Sequence, residues 1–189
     1  MDFLDLAKER YSVRNFSKKE INRKDIEKII LAASLAPSAC NKKPWKFIVI
    51  DDKNLKLELC KKAFNTPKVN SFVKNSATII VACSKTNFLV HKFCGFLQNV
   101  EYNLLDMGAS IQNLILQATE LEIGSCWIGW FNEKNIKKLL KIPFNYKVVS
   151  LIALGYEENE SRKTEKIKDL NFLKNEVIDK KIINFNKFE

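Results

Sequence analysis

The sequence predicts an α/β or α+β layered domain built around one central sheet flanked by helices. Three observations predict it. Helical periods come first in the chain, and strand patterns then alternate with helical ones. The run Ala77–Cys83 (Ala-Thr-Ile-Ile-Val-Ala-Cys) has the β-branched, apolar composition of a buried strand. The 189 residues, 46% apolar with 13 Phe and three Trp, suffice for one sizeable core.

The elements follow in order. A short helix is predicted at about residues 2–9, with Phe3, Leu4, Leu6 and Ala7 as its apolar positions. Asn22 can cap a second helix running to about Leu35, because Ile26, Ile29, Ile30 and Ala33 keep a helical period; Pro37 ends it. Trp45–Ile50 reads as a strand, and Leu55–Ala63 as a helix. Residues 98–121 form the longest periodic segment. There Leu104, Leu105, Met107, Ile111, Leu114, Ile115 and Ala118 cover more than one face, which fits a central helix, a dimer interface, or both. Gly124 stands after it as a stop signal. Ser125–Phe131 reads as a strand and loop, Asn132 can cap a helix through Leu140, and Lys147–Leu154 is a last core strand ending at Gly155. From Glu157 the chain turns polar, with weak helical pattern near Leu170. That tail reads as an arm, so residues 1–156 form the domain and 157–189 an arm of it.

Composition narrows the chemistry. No stretch approaches the roughly 18 apolar residues of a membrane span, and Met1-Asp2-Phe3-Leu4-Asp5 is acidic where a signal peptide is basic. A cytoplasmic protein is expected. The net charge of +10 comes from scattered lysines, which favours anionic ligands in general over a nucleic-acid interface. Five cysteines, 40, 60, 83, 94 and 126, include no C-x-x-C pair, and His91 is the single histidine. No zinc site is expected, the thiols read as reduced, and no nucleophile elbow is present.

The chain holds 28 Lys but only four Arg, and two of these lie in Arg10-Tyr11-Ser12-Val13-Arg14. Arg offers a planar fork of donors that matches phosphate, which a Lys ammonium cannot reproduce. The five glycines, 95, 108, 124, 129 and 155, make neither G-x-G-x-x-G nor a Walker loop. A bound nucleotide therefore needs side chains for its phosphate, and Arg10, Ser12 and Arg14 are the candidates. The two arginines read equally well as solvated ends of a helix and a loop.

Four segments, in order, resemble the nitroreductase family. Arg10-Tyr11-Ser12-Val13-Arg14-Asn15-Phe16 resembles its R-x-S-x-R/K-x-F opening. Ala36-Pro37-Ser38-Ala39-Cys40-Asn41-Lys42-Lys43-Pro44-Trp45 resembles its A-P-S-x-x-N-x-Q-P-W segment. Gly124–Gly129 resembles the G-x-x-x-x-G stretch that passes the flavin, and Ala153-Leu154-Gly155-Tyr156 the strand end that follows. The resemblance covers most of residues 1–156. It implies a mostly antiparallel central sheet and an intertwined homodimer with two FMN at the subunit interface.

Carried over, it implies that Arg10 and Ser12 hold the FMN phosphate, beside Tyr11, with Arg14 near the flavin or ribityl. Pro37, Ser38, Ala39 and Asn41 are implied to reach the flavin of the partner subunit. The backbone at Trp127, Ile128 and Gly129 is implied to approach the flavin ring. A basic residue among Arg162, Lys163 and Lys166 is implied to complete the phosphate site. The family's Gln before Pro-Trp is Lys43 here. It reads either as a tolerated surface change or as a cation directed at the flavin or the substrate. Trp127, Trp130 and the Phe-rich segment 88–96 read as pocket lining or as core.

The expected activity is reduction of nitroaromatic, quinone or similar flat acceptors by NAD(P)H through FMN, in a ping-pong cycle. Flavin carries the hydride chemistry, so no catalytic side chain is expected. Alternatives are other flavin chemistry on the same fold, a flavin-binding protein without turnover, and a nucleic-acid binder. The last is disfavoured by the scattered lysines.

Overall fold

The computed structural model describes residues 2–64, 69–85 and 101–158. His91, Cys94, the segment 88–96, residues 98–100 and the basic candidates Arg162, Lys163 and Lys166 lie outside them.

Helix α1 (Phe3–Glu9) is capped by the Asp2 carboxylate, and α2 (Arg23–Ser34) by Asn22, which accepts from the Lys24 amide. A 3₁₀ turn, Ala39–Asn41, leads into strand β1 (Trp45–Ile50). Helix α3 (Lys53–Ala63) starts on an Asp52 cap. A second 3₁₀ turn, Ser71–Asn75, precedes β2 (Thr78–Lys85). Then come α4 (Tyr102–Glu120), β3 (Gly124–Ile128), α5 (Glu133–Leu139) on an Asn132 cap, and β4 (Tyr146–Gly155). Residues up to Glu157 form one unit, to which all these elements belong.

The four strands pair antiparallel in the order β1-β2-β4-β3. Alternation along the central strands divides the core between the two faces. Ile79, Val81 and Cys83 join Leu151 and Ala153 against α3 and α5, with Leu59 and Ile136. Ile80, Ala82, Ile152 and Leu154 face α2 and α4, with Ile29, Met107, Ile111 and Leu114. Helix α4 is thus a core helix. Most of the apolar surface that the sequence offered to a dimer is already buried inside the protomer, and Leu105 is its one large apolar residue left exposed.

Helix α4 ends at Glu120, within a residue of the expected 121. The left-handed residue that closes its C-terminus is Glu122 (φ 57°) and not Gly124, with the Ile123 amide donating to the Ala118 carbonyl at 2.8 Å. Beyond α5 the left-handed residue is Lys141 (φ 52°), with the Ile142 amide on the Lys137 carbonyl at 2.9 Å.

Candidate functional site

The segment after α1 lies down along the outer edge of β3. Ser12 forms a parallel bridge with Ser125, and the Val13 amide donates to the Ser125 carbonyl at 2.9 Å. Phe16 then bridges to Glu157, and the Ser17 amide donates to the Tyr156 carbonyl at 2.8 Å. Two glycines make this docking possible. Gly124 and Gly155 face each other across β3 and β4. A Cβ on Gly124 would stand 2.7 Å from Val13 Cγ2, and one on Gly155 would stand 2.8 Å from the Phe16 ring. The bare pair forms a flat seat for Val13 and Phe16, which are both buried.

With Val13 and Phe16 turned inward, Arg10, Ser12 and Arg14 are left at the surface. Arg10 and Ser12 are half-buried and Arg14 is exposed. Neither guanidinium has an ion-pair or side-chain hydrogen-bond partner among the described residues. Burial raises the pKa of Cys126, on β3, and the nearby Arg14 charge opposes that rise, so Arg14 acts across this edge. Tyr11 serves the scaffold: its hydroxyl donates to the Glu157 carboxylate, and its ring packs on the core.

At the far end of β3, Trp127 is 42% exposed between the buried Cys126 and Ile128. Gly129 follows, and no described atom lies within 4 Å of where its Cβ would be. With no side chain of its own, Gly129 leaves its main chain open to close approach.

The second group of candidates sits elsewhere. Pro37 and Asn41 are exposed, and Ser38 and Ala39 half-buried, in the turn before β1. Three residues there adopt positive φ without being glycine: Cys40 (51°), Asn41 (53°) and Lys43 (46°). Such conformations cost on the order of 1 kcal/mol or more apiece and persist only where the surroundings enforce them. Here the Asn41 amide donates to the Ser38 carbonyl at 2.9 Å, the Lys42 amide to the Ala39 carbonyl at 3.1 Å, and the Lys43 amide to Ser38 Oγ at 2.9 Å. The Ala39 amide donates to Asp106 Oδ1 at 2.9 Å. Asp106 was not singled out from the sequence. Its signal is a charged residue among the apolar positions that bury this helix.

The two groups are not brought together in one protomer. The turn feeds β1, one edge of the sheet, and the Arg10–Arg14 segment lies beyond β3, the other edge. Four strand spacings separate them, about 19 Å across the sheet.

The donor set suits FMN. Two guanidiniums without a partner among the described residues and a hydroxyl are donors of the kind a phosphate takes, and Gly129 follows the strand they lie beside. Among the described residues no group of three His, Cys, Asp or Glu is placed to hold a metal ion, and no helix is long and apolar enough to cross a membrane.

The Nitroreductase family's sequence model matches residues 7–156. A solved nitroreductase family protein from Clostridium novyi NT is 36% identical and superposes with a TM-score of 0.75, over 89% of this chain and 91% of that one. An FMN-dependent nitroreductase from Clostridium difficile R20291 is 28% identical, with a TM-score of 0.74 over 98% of this chain and 100% of that one. A protein of Archaeoglobus fulgidus, whose assigned name pairs NADH dehydrogenase with NAD(P)H nitroreductase, is 36% identical over 155 residues, covering 80% of this chain and 83% of its own length. By sequence match and fold alike, this chain belongs to the nitroreductase family.

Proposed function

We propose that the protein is an FMN-dependent oxidoreductase that uses NADH or NADPH to reduce flat acceptors such as nitroaromatics and quinones. One observation carries the reading: two arginines without a partner among the described residues, and a serine, in the segment beside the strand that leads to Gly129. Bound there, FMN supplies the two-electron chemistry, taking hydride from NAD(P)H and passing it to the acceptor in a ping-pong cycle.

The chain's own residues bind and orient. Arg10 and Ser12 hold the phosphate with charge-assisted hydrogen bonds, and Arg14 lies toward the ribityl side. The main chain at Trp127, Ile128 and Gly129 carries the ring. The turn bearing Pro37, Ser38, Ala39, Asn41 and Lys43 serves the FMN of a second copy, because the sheet separates it from the clamp of its own protomer. The working form is therefore a homodimer. A reducing, cytoplasmic setting belongs to the same reading, and is supported by the four free thiols Cys40, Cys60, Cys83 and Cys126.

The test is the absorption spectrum of purified protein. It should be yellow, release FMN and not FAD on denaturation, bleach with NAD(P)H, and recover its colour with a quinone. Arg10→Ala should weaken FMN affinity about tenfold or more, the loss of one charge-assisted contact. Protein that cannot be reconstituted with FMN would sink the reading. Flavin that binds but does not bleach leaves a flavin carrier without turnover.

A further inference from the structure

Helix α4 carries three polar side chains at positions 106, 110 and 113, the i, i+4 and i+7 spacing of one helical face. All three are spent on the backbone of one neighbouring segment. Asn113 Nδ2 donates to the Ala32 carbonyl at 3.3 Å, and Ser110 Oγ to the Ala33 carbonyl at 2.7 Å. Asp106 Oδ1 accepts from the Ala39 amide at 2.9 Å. The first two rungs hold the last turn of α2, and the third holds the first residue of the strained turn that follows. Ser110 is fully buried, and Asp106 is 9% exposed. A carboxylate that deep loses hydration, and the Ala39 amide is its only hydrogen-bond partner among the described residues.

We infer that Asp106 is a positioning residue for the flavin site: through the Ala39 amide it fixes the turn that presents Ser38, Asn41 and Lys43. This rests on the FMN reading above. The argument is one of constraint. Three non-glycine residues at positive φ within four positions will relax unless something outside the turn holds its entry. The hydrogen bonds within the turn fix its shape but not its place. Among the described residues, the bond to Asp106 is the one side-chain hydrogen bond that ties this turn to a core helix. Asp106 touches no cofactor in this scheme and acts only through the backbone of residues 38–43.

Two substitutions remove the same bond from opposite sides. Asp106→Ala deletes the acceptor. Ala39→Pro deletes the donor, at the first position of a 3₁₀ turn whose preceding residue is already extended (Ser38 φ −147°, ψ 150°), a setting that accepts proline. Asp106→Asn keeps an acceptor oxygen without the charge.

In the FMN-free full-length protein, hydrogen exchange at the Asn41, Lys42 and Lys43 amides should speed up about tenfold in Asp106→Ala and in Ala39→Pro, and stay within about threefold of wild type in Asp106→Asn. The FMN dissociation constant should rise about tenfold in the first two and remain near wild type in the third. The double variant should be no worse than either single one, because both remove one interaction.

Unchanged exchange in Asp106→Ala overturns the inference. So does faster exchange with FMN affinity unaltered, or an Asp106→Asn as impaired as the alanine variant. If Asp106→Ala fails to fold, Ala39→Pro carries the test. Wild-type protein that takes up no FMN defeats the reading of the site, while the exchange measurements still decide whether Asp106 holds the turn.

Discussion

Lys43 stands where the A-P-S-x-x-N-x-Q-P-W pattern that this segment resembles has Gln. It is exposed, at φ 46°, and its amide donates to Ser38 Oγ at 2.9 Å. Gln and Lys are equally ill-suited to a left-handed backbone, so exchanging them leaves the turn's strain as it was and isolates the charge. If the ammonium lies near the flavin, it stabilises the anionic reduced form. An exposed interaction of this kind is worth at most about 1 kcal/mol, which for a two-electron couple is roughly 20 mV. Lys43→Gln should lower the flavin midpoint potential by up to that amount while FMN affinity stays within about twofold. Dye equilibration at fixed pH measures it. An unchanged potential makes Lys43 a solvated lysine, and a large loss of FMN puts it in the binding clamp. The other prominent buried groups are structural. Burial pushes Cys60 and Cys83 up to about 11, so both remain thiols at neutral pH. The Lys56 ammonium is spent on the Ser76 and Ala77 carbonyls.

Among the elements, the docking of residues 12–16 on β3 and β4 decides whether the clamp exists. Gly124→Ala places a methyl 2.7 Å from Val13 Cγ2 and 3.0 Å from the Gly155 carbonyl oxygen, which is backbone and cannot swing aside. Overpacking of this kind costs roughly 1–3 kcal/mol. The variant should unfold at lower temperature and also lose FMN affinity, because Val13 carries Ser12 and Arg14 with it. Thermal melts with and without FMN separate the two effects. A full-affinity, full-stability Gly124→Ala would show that the seat has room to give. The same elements show what a sequence makes legible. Asn22 and Asn132 were readable as caps because a cap is a local bond between a side chain and amides two or three residues on. The strand Thr78–Lys85 was readable because burial on both faces demands an unbroken apolar run. The ends of α4 and α5 were readable to within a residue, but the left-handed Glu122 and Lys141 that follow them were not, since neither residue type favours positive φ. The seat at Gly124 and Gly155 and the ladder of Asp106, Ser110 and Asn113 were hidden for one shared reason. Each is a contact between residues far apart in the chain, and their meaning depends on the β1-β2-β4-β3 pairing that no local pattern encodes.

At the scale of the whole molecule, the sheet holds the Arg10–Arg14 segment beyond β3 and the 37–43 turn before β1, on opposite edges. On the reading proposed above, one copy does not complete the site. A second copy can close the gap, and the protomer offers a surface for it. Leu31 and Leu35 on α2 are 60% and 75% exposed, Phe3 and Leu4 on α1 are 72% and 62% exposed, and Leu105 on α4 is 62% exposed. Helices α1 and α2 both pack on α4. Singly exposed leucines need no explanation, but large apolar residues left exposed on these packed helices are the candidates for an interface between copies. Obligate homodimers commonly bury more than about 2,000 Å² in such contacts. Light scattering at low micromolar concentration should therefore give about twice the chain mass of 21.9 kDa. Replacing Leu31 and Leu35 together by Glu should yield monomers with melting behaviour close to wild type, since neither residue belongs to the core. Those monomers should bind FMN at least tenfold more weakly, because each keeps its clamp and loses the partner's turn. A wild-type monomer with full flavin content would show that one copy completes the site. A double variant that stays dimeric would move the interface off this face. Monomers that keep their FMN affinity would assign the turn before β1 a role other than holding the cofactor.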